Sequence, residues 1–253
     1  GDPLNGRCQQ SFNGIDYRPL LRAVLVNLDQ WVTLGATPPP SQHPRLDDGT
    51  AVSPEMLWDT FRGIPGVNIP EPLRCFTRLD FGPDEGVATC LPPEIGKPYA
   101  CLVPAVDSDG NEICGIRLPF HTVPLATYTG WNLRHAEIGG EGQILASGGA
   151  SGGSLIGSTL PFPSTQAERL VSGDARLSIA ERYASKADYL EKVQQVTLAL
   201  IQKRYLLAED LETIMVQAAQ HYVLLLSAPE YPLSPRVTPA KSDEPSKRGN
   251  VQA

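Results

Sequence analysis

No run of eighteen apolar residues occurs in the sequence, so no helical membrane span is expected. Positive charge is scarce. Lys and Arg number 21 against 28 Asp and Glu, the net charge is -7, and no basic stripe offsets it, which excludes a typical nucleic-acid-binding face. The five cysteines (Cys8, Cys75, Cys90, Cys101 and Cys114) contain no C-x-x-C pair and do not cluster with histidine, so no metal site is expected. Their odd number leaves one thiol over if the others pair, and the redox compartment stays open. None of the four histidines (His43, His121, His135 and His221) is spaced i, i+4 from another, which excludes a zincin-type pair on one helical face. Residues Gly1 to Gly6 lack the basic and apolar regions of a secretory leader. A start on Gly reads as a processed end or a cut within a longer reading frame, and nothing fixes a cellular location.

What the sequence does have is length, proline and glycine. Its 253 residues are 41% hydrophobic, enough for a real core, while 24 prolines and 23 glycines make it loop-rich. An amphipathic helix is expected from Asp16 to Leu34, with Asp16 as cap, Pro19 in the first turn and Gly35 as the stop. Leu20, Leu21, Val24, Leu25, Leu28, Trp31 and Val32 form its apolar stripe, with Arg18, Arg22, Asn27 and Gln30 off it. Such a stripe calls for a sheet, yet residues 36–119 hold fourteen prolines and read as irregular chain with short strands. The exception is a β-hairpin expected at about 101–119, turning through Asp107-Ser108-Asp109-Gly110-Asn111. Nine glycines within 130–157 indicate loop. Short helices capped by Thr165 and Ser178 follow. Then come two long helices, one capped by Ser185 and one from about Ala208 to Leu225, forming an antiparallel hairpin across Arg204 to Leu207. The expected divisions are 1–35, a proline- and glycine-rich wrap at 36–160, a helical region at 161–227 and a disordered tail at 228–253.

Chemistry is sparse. Gly149-Ala150-Ser151-Gly152-Gly153 is a literal G-x-S-x-G, but no buried strand precedes it and no long helix follows, so it reads as loop. Asp107 to Glu112 resembles a calcium loop only faintly. Its glycine stands at the fourth position and its flanks are not helical, so a hairpin turn is the better account. Single histidines read as structural or solvated. The densest stretch is Tyr128-Thr129-Gly130-Trp131-Asn132-Leu133-Arg134, which sets two aromatics, an amide and a guanidinium beside a glycine-rich loop. Tyr128, Trp131, Asn132 and Arg134 suit the wall of a substrate pocket. An ordered turn tied down by Trp burial uses the same residues.

Several blocks carry a family resemblance: Asp16 to Val32 leading to Pro38-Pro39-Pro40-Ser41, Leu102 to Asp107, Gly115 to Pro119, Pro124 to Arg134, Ala167 to Leu170 and Ile179 to Tyr183. Together they resemble the C-terminal part of a bacterial family of long alpha/beta hydrolase domain proteins, over about Cys8 to Gln220. In that family a Gly-x-Ser-Gln-Ser-Gly motif and a Gly-Thr-Gln-His segment lie upstream, and neither occurs in these residues. The resemblance implies an α/β fold, with the first helix closing a hydrolase sheet. It implies an esterase-like hydrolase of a small-molecule substrate, with no cofactor and with nucleophile and histidine outside this chain. No triad residue transfers. The alternative is an autonomous, non-catalytic binding module using the Tyr128 to Arg134 loop. A self-contained hydrolase using Ser151 with His121 or His135 is the weakest reading.

Overall fold

A computed structural model describes residues 8–70, 76–147, 154–155 and 157–226. The expected tail and the Gly149 to Gly153 motif lie outside the described residues. The chain opens with β1 (Ser11–Phe12) and α1 (Arg18–Leu34). Pro19 sits in the first turn of α1, where its missing N–H costs nothing. Gly35 ends the helix with φ 68°, and its N–H donates to the Trp31 carbonyl at 3.0 Å. Asp16 Oδ1 accepts the Arg18 N–H at 3.0 Å, so the start is tied one residue ahead of the capping position, Tyr17.

The proline-rich stretch folds into short elements: β2 (Ala51–Val52), α2 (Glu55–Arg62), β3 (Thr77–Asp80), β4 (Glu94–Pro98) and β5 (Val103–Pro104). Strands β2 and β5 pair antiparallel, as do β3 and β4. Of the hairpin expected at about 101–119, the structure forms the inner part. Val106 bridges Glu112, and the Ile113 N–H donates to the Ala105 carbonyl at 3.0 Å. The outer residues Val103 and Pro104 turn instead to β2, some fifty residues earlier, leaving the hairpin short.

The second half runs α3 (Pro119–Thr122), β6 (Ala126–Tyr128), β7 (Ala146–Ser147), β8 (Ser154–Leu155) and β9 (Ser158–Pro161). Helices α4 (Gln166–Ser172), α5 (Ile179–Arg182), α6 (Lys186–Gln202) and α7 (Leu211–Leu226) follow. Strand β9 is central in a three-stranded antiparallel sheet ordered β1-β9-β6. The helix starts are chemically capped. Ser178 and Glu181 form a reciprocal capping box, and the Thr165 and Ser185 hydroxyls accept N–H groups from Glu168 and Asp188. Helices α6 and α7 make the helical hairpin, turning through Arg204 at φ 63°.

The main core joins this hairpin to the residues around α3 and β6. Phe120, Leu125, Phe162, Ile179, Tyr189 and Ile214 are among its buried members. A smaller cluster of Phe61, Ile64 and Leu160 lies under Trp131. Helix α1 attaches by its polar side. Pro19, Ala23 and Asn27 are buried, the Asn27 amide donates to the Arg204 carbonyl at 2.8 Å, and Arg204 in turn donates to Gln30 at 2.9 Å. Arg22 pairs with buried Asp210, and Gln217 donates to Asp16 at 3.1 Å. Of the expected apolar stripe only Leu20 packs on the main core, and the rest faces outward, from 49% exposed at Leu28 to 76% at Val32.

Candidate functional site

Strand β6 delivers Tyr128 and the following loop. The strand is held from below by Asn111, a fully buried side chain. Its amide nitrogen donates to the Ala126 carbonyl at 3.1 Å, and its amide oxygen accepts the Tyr128 N–H at 2.8 Å. One side chain thus acts as a short extra strand against β6. Asn111 reaches that place because the turn before it is pre-formed: Asp107 Oδ1 accepts the N–H groups of Asp109 and Asn111, each at 3.0 Å. The carboxylates that resembled calcium ligands are already engaged. Asp107 pairs with Arg117 at 3.2 Å, and Asp109 pairs bidentately with Arg182 at 2.8 and 2.5 Å.

The loop after β6 is stitched by hydroxyls. Thr129 Oγ1 and Ser158 Oγ both donate to the Trp131 carbonyl, at 2.5 and 2.6 Å. This places the Trp131 indole edge-on to Phe61, with ring centroids 5.4 Å apart. Asn132 is fully buried, and its amide spans the Gln10 carbonyl at 2.9 Å and the Leu133 N–H at 2.9 Å. Arg134 donates through Nε to the Gly139 carbonyl at 2.7 Å and through Nη2 to the Ile138 carbonyl at 3.0 Å. The structure therefore brings the expected residues together on one strand-loop unit. Asn132 and Arg134 spend their polar groups on main chain, and Tyr128, expected on a pocket wall, is buried at 6% exposure, which leaves half-buried Trp131 as the aromatic surface of that unit.

The titratable groups nearby are perturbed by burial. The His121 ring lies 5.5 Å from Tyr128, edge to face. Burial, reinforced by the charge of Arg117, lowers its pKa to about 4, so the imidazole is neutral at pH 7. Burial, with Tyr183 beside it, pushes the Tyr128 phenol above its ordinary range. The other histidines lie elsewhere. His221 packs on Phe120 at 5.0 Å with its pKa lowered by burial, the His135 Nδ1 accepts the Glu137 N–H at 3.4 Å, and His43 is exposed in the proline-rich loop. Among the described residues no group of three or more His, Cys, Asp or Glu is arranged to hold a metal ion, and no helix is long and apolar enough to cross a membrane. Sequence reasoning missed Asn111, Ser158 and Arg176. Arg176 is buried, pairs with Asp174 at 2.6 Å and donates to Thr127 and to the Leu160 carbonyl, both at 2.9 Å. The signal available for Asn111 was its place directly after the Asp107 to Gly110 turn.

One family model matches the chain, described as "Alpha/beta hydrolase domain", and it covers residues 1–216. No curated protein and no solved structure matches it.

Proposed function

The chain belongs to the alpha/beta hydrolase domain family, and from that premise we propose that it supplies the C-terminal part of an esterase-type serine hydrolase whose nucleophile and catalytic histidine lie on chain outside these residues. The observation that carries the proposal is the orientation of α1. Its polar side is fastened to the helical hairpin, while Leu21, Val24, Leu25, Leu28, Trp31 and Val32 face outward. An apolar stripe of this width belongs against a broad core surface rather than a single helical seam. The sheet of the catalytic domain is the surface that the family membership provides.

In the completed enzyme a serine hydroxyl attacks the acyl carbon of an ester, a histidine takes and returns its proton, and backbone amides hold the oxyanion. This chain contributes the Tyr128 to Arg134 unit as pocket wall. Trp131 gives the apolar surface against the substrate; Tyr128, only 6% exposed, anchors the unit, while Asn132 and Arg134 fix the loop that presents the indole. The test is hydrolysis of a simple aryl ester by the purified 253-residue chain. No turnover above buffer is expected, and turnover abolished by Ser151→Ala refutes the proposal. An intact mass of the protein from its source, with its N-terminal residues read by fragmentation, checks for a serine motif ahead of Gly1.

A second reading, a non-catalytic module that folds alone, is favoured by the closed core between α6, α7 and the residues around β6. It requires the α1 stripe to be covered without a catalytic domain. Hydrophobic-dye binding separates the two: strong binding supports the hydrolase part, and a dye-silent monomer supports the module.

A further inference from the structure

Three segments meet around Trp131, and each brings apolar side chains without charge. Helix α2 presents Leu57 and Phe61 one turn apart, while Glu55, Asp59 and Arg62 fall on the opposite side of the same helix. Asp59 and Arg62 pair there with each other, at 3.5 Å. Residues 63–70 contain no charged residue, and Ile64, Val67 and Ile69 from this loop join the cluster of Phe61. Residues 129–133 contain none either, and they supply the indole, edge-on to Phe61 at 5.4 Å.

These walls are held in place by their own chain. The Gln10 amide donates to the Gly66 carbonyl at 3.0 Å, and the Asn68 amide donates to Gln9 Oε1 at 3.0 Å, which fastens the loop carrying Val67 and Ile69. The same two residues hold the Trp131 loop: the Gln9 N–H donates to the Leu133 carbonyl at 2.9 Å, and the Gln10 carbonyl accepts the Asn132 amide. Both walls therefore hang from one support. Leu57, Val67, Ile69 and Trp131 stay half-buried, with their outer sides open.

Polar groups at this place are few. Arg134, the only cation of the Tyr128 to Arg134 stretch, gives its Nε and Nη2 to the Gly139 and Ile138 carbonyls, so the edge that clasps a carboxylate side-on is taken. Asp107, next to Val106 of the same cluster, is paired with Arg117. What remains is one donor. The indole N–H of Trp131 has no acceptor among the described residues, and its nitrogen is not sealed from the surface. A Trp N–H in such a position ordinarily finds an acceptor.

We infer that this patch receives an uncharged, apolar group of the substrate carrying one hydrogen-bond acceptor, and that Trp131 is the residue that sets this specificity. The inference rests on the reading of the Tyr128 to Arg134 unit as pocket wall and names the class of ester that the wall fits. Leu57, Val67 and Ile69 take the hydrocarbon, and the indole N–H takes the acceptor. A carboxylate placed there loses its water and gains no cation, so acidic substrates are rejected.

The test is direct binding of para-fluoroacetophenone, para-fluorobenzoate and para-fluorotoluene to the 253-residue chain, followed by fluorine NMR relaxation of the probe. The ketone should bind with a Kd of about 1–10 mM, the range for a ligand of this size on an open wall. The carboxylate should bind at least about tenfold more weakly. Trp131→Phe keeps an aromatic face but removes the donor. It should weaken the ketone about fivefold and leave para-fluorotoluene within about twofold. That split is not produced by a general loss of structure. Leu25→Gln, on the α1 stripe, should leave all three affinities unchanged. Four results each overturn the inference: no saturable ketone binding, a carboxylate that binds as well as the ketone, a Trp131→Phe variant that changes nothing or weakens both neutral probes alike, or ketone binding lost in Leu25→Gln. None of the probes is an ester, so the result stands apart from the hydrolysis test. Turnover that depends on Ser151 sinks the preceding proposal without touching these affinities, and a failure here leaves that proposal in place.

Discussion

Replacing Asn111 with alanine isolates the device that holds β6. The side chain is fully buried and makes two hydrogen bonds to the same strand, to the Ala126 carbonyl and from the Tyr128 N–H. Alanine leaves both main-chain groups without a partner and without access to water. A buried group stranded in this way costs about 1–2 kcal/mol, so the pair predicts a loss of about 2–4 kcal/mol. A chain of this length has a urea m-value of about 3 kcal/mol per molar, and the midpoint should fall by about 1 M. Asn111→Asp sharpens the test. Aspartate still accepts the Tyr128 N–H, but it loses the donor to Ala126 and buries a charge. Its folded pKa is therefore raised, its penalty is greatest at neutral pH, and it eases as the carboxyl protonates and donates again. Equilibrium urea unfolding followed by circular dichroism, for both variants at two pH values, measures this. A shift below about 0.2 M for Asn111→Ala, or an Asn111→Asp penalty that does not ease on acidification, refutes the assignment.

The remaining predictions concern pH and the two faces of α1. His121 titrates at about 4 in the folded chain against about 6.5 unfolded. The unfolded state therefore binds the extra proton first, and stability should fall as the pH drops from 6.5 toward 4, by up to about 3 kcal/mol. His121→Gln should flatten that part of the profile, and an unchanged slope in pH-dependent denaturation would count against it. On α1, Ala23→Leu puts bulk into a site 1% exposed and should destabilise by about 1–3 kcal/mol, whereas Leu25→Gln, at 65% exposure, should stay within about 0.5 kcal/mol. The combination Leu25→Gln and Leu28→Gln should also reduce hydrophobic-dye binding at constant fold. Thermal melts and dye titrations check these together, and a costly Leu25→Gln would mean the stripe is already covered.

What could be read from sequence follows the range of the interactions. The ends of α1 were legible because Pro19 and Gly35 act within one turn of where they stand. The starts of α4, α5 and α6 were legible for the same reason, since Thr165, Ser178 and Ser185 bond three residues ahead. Which side of α1 meets the rest of the chain was not legible. Its partners are Arg204, Asp210 and Gln217, nearly two hundred residues away, and they engage it through the polar residues that a periodicity argument assigns to solvent. The pocket-wall stretch shows the same limit at a smaller scale. Its aromatics, amide and guanidinium are plain in the sequence, yet what Asn132 does depends on Gln10, and what places Trp131 depends on Ser158.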